Sequence, residues 1–371
     1  MIEFNKKLIF KKFFLDNAYF FLSSLATLSI IVWVIQAVNY LDYVTEDGHG
    51  LTVYFQYTFL NLPKIVSRLI PFIFFVSIFY TLNKFEDNNE LKIFWINGIN
   101  KKRFVKNFLN YSIIYLLILL FLSSFLVPWS QNKGRVFIQN SNIDFFPSLI
   151  NEKRFIDTVD KLTIYVEKKI DRESYKNIFL KEAETDESKI IFAESGKLIN
   201  NENERFLKLF NGKIITVNED KVTSFDFKNT TFDLSKYLTK TITDFKIQEK
   251  SSTLLLNCYI NFYLLKDKSY YDVYNCNDEA VNEIQQELFK RMIKPFYLLV
   301  LTISVCFLML YPKENNKYKF FRVSIFILGI LVIVFSEISS SLSARSFIHF
   351  QFSLFLPLII FLIQYLILTK K

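Results

Sequence analysis

Six long apolar runs organise the chain. They are Phe13–Val38, Ile65–Leu82 (with the apolar pattern reaching back to Val53), Phe108–Trp129, Pro295–Tyr311, Val323–Leu342 and Phe347–Leu368. Each meets or approaches the roughly 20 apolar residues a helix needs to cross a bilayer. Few charges interrupt them: Asp16 in the first, Arg68 in the second and Glu337 in the fifth. One such run could be a buried core helix of a soluble protein, but six predict membrane spans. Between the third and fourth runs the pattern changes to period two. Leu162, Ile164 and Val166 alternate with polar or aromatic neighbours, as do Phe225 with Phe227 and Phe232 with Leu234. Two apolar-rich runs, Phe206–Phe210 and Lys213–Val217, flank Asn211-Gly212 and predict a hairpin turning there. Glu279–Ile293 predicts a helix leading into the fourth span. The fold class expected is a membrane α-helical bundle of six transmembrane helices with an inserted all-β, jelly-roll-like domain. The expected divisions are residues 1–130, 131–285 and 286–371.

Lysine and arginine positions orient the spans. Lys6, Lys7, Lys11 and Lys12 precede span one. Lys84, Lys92, Lys101, Lys102 and Arg103 follow span two, Lys313, Lys317, Lys319 and Arg322 follow span four, and Lys370-Lys371 close the chain. The alternate short loops are nearly free of them. Both termini are therefore expected to be cytoplasmic, with the β insertion outside. The net charge of +9 lies at membrane edges rather than along one stripe, which gives no nucleic-acid footprint. Span one is too long for a cleaved signal and lacks a small-x-small cleavage site, so it is expected to be retained. Cys258 and Cys276 fall in the external segment, where a disulfide or two free thiols are both open readings; Cys306 falls within a span.

Catalytic signatures are missing. None of the seven glycines builds a phosphate-cradling loop, and the only histidines, His49 and His349, cannot make a His-based metal cluster or triad. No enzyme activity and no directly bound cofactor or metal is expected. Nor do the ionisable residues form a relay at the bilayer midplane, so an energy source would sit on a partner. The segment Leu82–Phe104 is where such a partner would act. Asp87 followed by Glu90 reads as a helix start, Leu91, Phe94 and Trp95 share one helical face, and Gly98 reads as the stop. This predicts a short helix over about residues 86–98, lying along the membrane with exposed aromatics.

With these features in place, the chain resembles the LptF/LptG (YjgP/YjgQ) family of lipopolysaccharide export permeases, and is closer to LptF. The resemblance covers three helices, a large β insertion and three helices. Its local matches include Trp33 and Gln36 with Leu41-Asp42, Leu62-Pro63-Lys64, Leu69-Ile70-Pro71, and Asn83-Lys84 through Glu90-Leu91 to Asn97-Gly98. Leu162–Val166, Ala193-Glu194 with Gly196, and Leu209–Gly212 match in the insertion. Ala37, Val38 and Tyr40 are neutral, and Asp42 acidic, where members often carry basic residues.

The resemblance implies a permease subunit in a Gram-negative inner membrane. It would pair with an LptG-like permease and be driven by an LptB-like ATPase dimer that holds the ATP and Mg. It would pass lipopolysaccharide to LptC-like and LptA-like bridge proteins. Glu86, Asp87, Glu90, Leu91, Phe94, Trp95 and Gly98 would form the ATPase-coupling helix. Lys64, Arg68 and Arg345 would contact lipid headgroups, with snorkelling toward the bilayer surface as the alternative for each. Trp33, Gln36, Ser336, Ser340 and Ser343 would pack a lateral gate, or simply the bundle interior. The competing reading of the whole chain is a membrane-anchored scaffold or sensor whose β domain binds a partner.

Overall fold

The computed structural model describes residues 2–41, 51–140, 152–159, 162–171, 173–183, 187–201, 204–218, 221–234, 246–265 and 278–370. Asp42, His49 and Cys276 lie outside them. The chain forms two compact units, one of residues 1–38, 57–135 and 245–371, the other of residues 39–56 and 136–244.

The first unit is helical. Six helical stretches are long and apolar enough to cross a membrane: Leu8–Asn39, Leu51–Asp87, Lys101–Ile138, Ala280–Leu310, Tyr318–Leu342 and Phe347–Lys370. The chain is a multi-pass membrane protein. Span one lies within α1 (Ile2–Asn39). Span two comprises α2 (Leu51–Leu60) and α3 (Leu62–Asp87), which break at Asn61 just before Pro63. After a short helix α4 (Glu90–Ile96), span three is α5 (Lys101–Phe121), a π-helical turn at Leu122–Leu126, and α6 (Val127–Asn140). Beyond the β insertion come α7 (Ser252–Ile260) and α8 (Asp278–Leu288). Helix α7 runs on into a π-helical turn at Asn261–Leu265, and another π-helical turn at Phe289–Ile293 leads to α9 (Tyr297–Cys306). Helices α10 (Tyr318–Leu342) and α11 (Phe347–Lys370) are spans five and six.

Aromatic packing holds the bundle. Phe13, Phe74, Phe75, Phe94, Phe104 and Phe108 are fully buried in one cluster, with Phe104 and Phe108 stacked at 4.4 Å. Gly329 of span five lies against the Phe75 ring, where a Cβ would overlap it. Asn17, fully buried, is satisfied by giving its amide to Thr81 (3.3 Å) and accepting from Tyr111 (2.9 Å), which ties spans one, two and three. Cys258 on α7 is buried and disulfide-bonded, and Cys306 is a free buried thiol.

The second unit contains the expected β insertion. Strands β1 (Phe155–Val159), β2 (Leu162–Lys169), β3 (Ser174–Ala183), β4 (Glu187–Asn201), β5 (Glu204–Asn218) and β6 (Lys221–Asp233) pair antiparallel in sequence order. The described strands are thus a meander with one apolar face. The expected hairpin at Asn211-Gly212 is not there. Asn211 takes a left-handed φ of 47° inside a single continuous strand, β5. Asn177 does the same in β3 with φ 50°. One left-handed residue cannot reverse a chain, but it exchanges the two faces of a strand. Buried positions accordingly switch from odd to even numbers between Tyr175 and Ile178 in β3, across Asn177, and Ile214 stands out of step with Leu207 and Leu209 in β5, across Asn211. The sheet is creased along a line through Glu167, Asn177, Glu194 and Asn211. There Asn177 bonds Glu167 and Asn211 bonds Glu194. Next to Asn211, Gly212 has no room for a Cβ beside the Phe192 carbonyl. Phe225 and Phe227 fall on the same strand, β6, as Phe232. Phe232 and Leu234 are buried, whereas Phe225 is exposed.

Candidate functional site

Helix α3 starts at Leu62, so Lys64, Ser67, Arg68 and Pro71 fall at i, i+3, i+4 and i+7 on one stripe. Glu287, Lys290, Arg291 and Lys294 repeat that spacing through the π turn at Phe289–Ile293. The two stripes face a common cavity of about 380 Å³, closed by Ser123 and Gln131 of span three, Glu337 of span five and Gln248 of the segment that follows the β insertion. Five cations and two carboxylates line it. Among the described residues Lys64, Arg68 and Lys290 make no ion pair. Lys64 has only a 3.4 Å hydrogen bond to the Gln248 amide oxygen. Lys294 is paired with Glu337.

The wall behind these cations is rigidly braced. Arg291 is 2% exposed and all three of its guanidinium nitrogens donate. Nε donates to Glu287 (2.9 Å), Nη1 to the Lys250 carbonyl and the Ser252 hydroxyl (both 2.9 Å), and Nη2 to the Gln248 carbonyl (3.0 Å). Its own carbonyl accepts the Ser123 hydroxyl of the π turn at Leu122–Leu126, at 2.8 Å. Ser252 donates in turn to the Ser124 carbonyl at 2.5 Å. Arg135 grips Glu249 from the opposite side, at 2.7 Å and 2.5 Å. Residues 248–252 are thereby fixed to spans three and four, and Gln248 is held at the cavity edge.

At the other end of the bundle, α3 runs through Glu86 and Asp87, so the expected 86–98 helix is two pieces. The chain turns at Asn88-Asn89, with Asn89 left-handed at φ 62°, and α4 begins at Glu90. Gly98 follows α4 at φ 67°. The expected exposed aromatics are turned the other way. Phe94 is fully buried against Phe10 and Phe104, Leu91 is buried, and Trp95 is half-buried against Phe104. Their stripe packs on the bundle because it is the apolar side of a seven-residue helix that must cover the core. Ile93 and Ile96, 84% exposed in the latter, are what α4 presents outward. Glu90 is paired with Lys12 of span one at 3.1 Å. Glu86 and Asp87 hold the turn before span five. The Glu86 carboxylate accepts the Lys313 backbone N–H (2.8 Å), Lys313 Nζ donates to the Asp87 carbonyl (3.0 Å), and Arg322 pairs with Asp87 (3.2 Å). Lys92 pairs with Glu314 at 2.5 Å, and that hydrogen bond holds the exposed Glu314 carboxyl below the usual carboxylate range.

The remaining predicted positions lie apart. Arg345 is exposed and does not line the cavity. Trp33 donates from its indole to the Thr58 carbonyl at 3.1 Å, and Gln36 is half-buried one turn on. Ser336, Ser340 and Ser343 are buried within this chain's own bundle, beside Ser339, which accepts from Tyr297 of span four.

A family model described as lipopolysaccharide export system permease LptF/LptG matches residues 9–371. The chain belongs to this family. A curated relative, described as an uncharacterized protein of Rickettsia prowazekii (strain Madrid E), is 27% identical over 197 residues. The match covers 52% of this chain and 53% of the relative, so it spans about half the length of that protein.

Within this LptF/LptG-family chain, sequence reasoning located Lys64 and Arg68 but passed over Lys290, Lys294 and Gln248. The signal was available in part: Glu287, Lys290, Arg291 and Lys294 make a charged stripe directly before the apolar run at Pro295. Gln248 carried none, because only the fold brings residues 246–252 to span two.

Proposed function

We propose that this protein is the permease subunit of an ATP-driven lipopolysaccharide exporter, of the LptF-like kind. The reading places it in a Gram-negative inner membrane with both termini cytoplasmic and the β insertion periplasmic. An LptG-like permease pairs with it, and an LptB-like ATPase dimer holds ATP and Mg and works on the α4 corner. The lipid leaves through the β insertion toward LptC-like and LptA-like bridge proteins.

The observation that carries this reading is the cationic cavity lined by spans two to five. Three cations without ion pairs, set in a membrane-spanning bundle, suit an anionic headgroup whose acyl chains remain in the surrounding apolar phase. A phosphate oxygen takes charge-assisted hydrogen bonds from both lysine and arginine. At the opposite end, α4 is tied to spans one and five through Lys12 and Glu314, so a push on α4 reaches more than its own two spans.

Two measurements test it. Co-expression with an LptG-like permease and an LptB-like ATPase is expected to yield one complex whose ATP hydrolysis is weakened by Glu90→Lys. Separate elution of the folded proteins would refute the assembly. Diphosphoryl lipid A is expected to bind the full-length chain more tightly than dephosphorylated lipid A, and Lys64→Glu to abolish the difference. Equal binding of both lipids to the wild type would refute the headgroup site.

A further inference from the structure

We infer that Glu337 is a built-in stand-in for the ligand's phosphate: it neutralises Lys294 while the cavity is empty and gives that lysine up when a phosphate arrives. This deepens the headgroup reading above and rests on it.

The argument begins with an asymmetry in the Lys294–Glu337 pair. The Lys294 side chain is 22% exposed and that of Glu337 is 58% exposed. A largely covered ammonium needs an anionic partner at all times, because leaving it bare carries the desolvation penalty of an unpaired charge. A carboxylate that already faces outward loses little when it is released to water or headgroups. The lysine is therefore the fixed member of the pair and the carboxylate the exchangeable one.

Charge decides what can replace it. The same cavity wall carries Lys64, Arg68 and Lys290 without ion pairs among the described residues. A phosphate monoester brings roughly −1.5 to −2 charges and three acceptor oxygens, against one charge for a carboxylate. It can bond Lys294 and a neighbouring cation together, which Glu337 on its own helix does not do. A zwitterionic headgroup would bring its own cation into this cluster and would displace Glu337 poorly. Glu337 thus acts as a specificity-determining residue: it sets a threshold that strongly anionic headgroups pass. It also supplies the return path, since a carboxylate waiting beside Lys294 favours release of the phosphate. Nothing covalent changes; one ion pair is exchanged for another.

The test uses the full-length chain in nanodiscs, with diphosphoryl lipid A, dephosphorylated lipid A and inorganic phosphate as probes. Glu337→Gln removes the competing charge without changing shape and is expected to tighten diphosphoryl lipid A binding about tenfold, the size of one charge-assisted hydrogen bond. Dephosphorylated lipid A should be unaffected. Glu337→Asp, which keeps the counter-charge, is expected to return the affinity toward the wild type. In a Lys294→Gln background the Glu337→Gln effect should vanish, a non-additivity that a merely structural role would not produce. Inorganic phosphate is expected to compete weakly; full competition at matching concentration would overturn a lipid-borne phosphate as the ligand. Unchanged or weaker lipid A binding by Glu337→Gln, with the wild type still preferring the phosphorylated lipid, would overturn the stand-in role alone. Loss of that preference in the wild type would overturn the headgroup site, and this inference with it.

Discussion

The backbone N–H of Lys313 ends on the carboxylate of Glu86 at 2.8 Å. A residue of the turn before span five is thus held by the last turn of span two, 227 positions earlier in the chain. Glu86 is almost fully buried, so this bond has little competition from water. Glu86→Ala would leave the Lys313 amide without its acceptor, at a cost of about 1–3 kcal/mol. Faster amide exchange confined to residues 311–317 is the expected outcome. Unchanged exchange there would show that the turn is held by Arg322 and Lys313 Nζ alone.

Arg291 offers a larger effect. Replacing it with Met strips Glu287 of its ion-pair partner and removes the guanidinium donors to the carbonyls of Gln248 and Lys250. The expected loss is about 3–5 kcal/mol, as for breaking other buried pairs from one side. Arg291→Lys should recover only part of it, because three N–H donors on a single nitrogen cannot replace four hydrogen bonds made from three separated nitrogens. Thermal unfolding of the purified chain measures both.

Gly329 is a packing constraint rather than a flexible point. Gly329→Ala puts a methyl group into the space of the fully buried Phe75 ring. Overpacking of this kind costs about 1–3 kcal/mol. Gly329→Ala combined with Phe75→Leu should be more stable than the sum of the single changes predicts, and a thermal melt of the four proteins decides it.

The Lys92–Glu314 pair gives a pH signature at the α4 corner. Lys92 lowers the Glu314 carboxyl from its ordinary 4.5. A lowered folded pKa stabilises above the ordinary value and stops doing so as pH falls through the lowered one. The pair lies on the surface, so the loss is local and overall stability barely moves. Spin labels at Ile96→Cys and Lys317→Cys should report a narrow distance distribution at neutral pH that broadens only well below 4.5. Glu314→Ala should broaden it at neutral pH. A distribution indifferent to both would mean that the pair does not restrain α4.

Much of the fold was legible because its signals are local. Apolar runs of membrane length, with lysines and arginines clustered in alternate loops, gave six spans, and strict alternation at Leu162, Ile164 and Val166 gave strands. The failures share a cause. Asn211-Gly212 carries the composition of a tight turn, yet one left-handed asparagine in a strand uses the same residue type to crease a sheet. Phe94 and Trp95 lie on the predicted helical face, but periodicity names a face without saying what covers it. Only the packing of Phe10 and Phe104 shows that it turns inward. At the cavity, Lys64 and Arg68 announce themselves as charges near the end of a span. Gln248 does not, since its place depends on two arginines far along the chain.

The π turns of spans three and four have one more consequence. Each holds a residue more than the α-helical turn it interrupts, while the helix on either side continues. Such a widened turn leaves a main-chain oxygen open to a donor from outside its own helix. Arg291 offers that oxygen to Ser123, and Ser124 offers one to Ser252. Each irregularity is thus satisfied by a hydroxyl from outside its own helix, one supplied by the π turn of span three and the other by α7. Deleting a single residue from either turn would restore an unbroken helix and still loosen the protein, because a hydroxyl of another helix would lose the acceptor on which it depends.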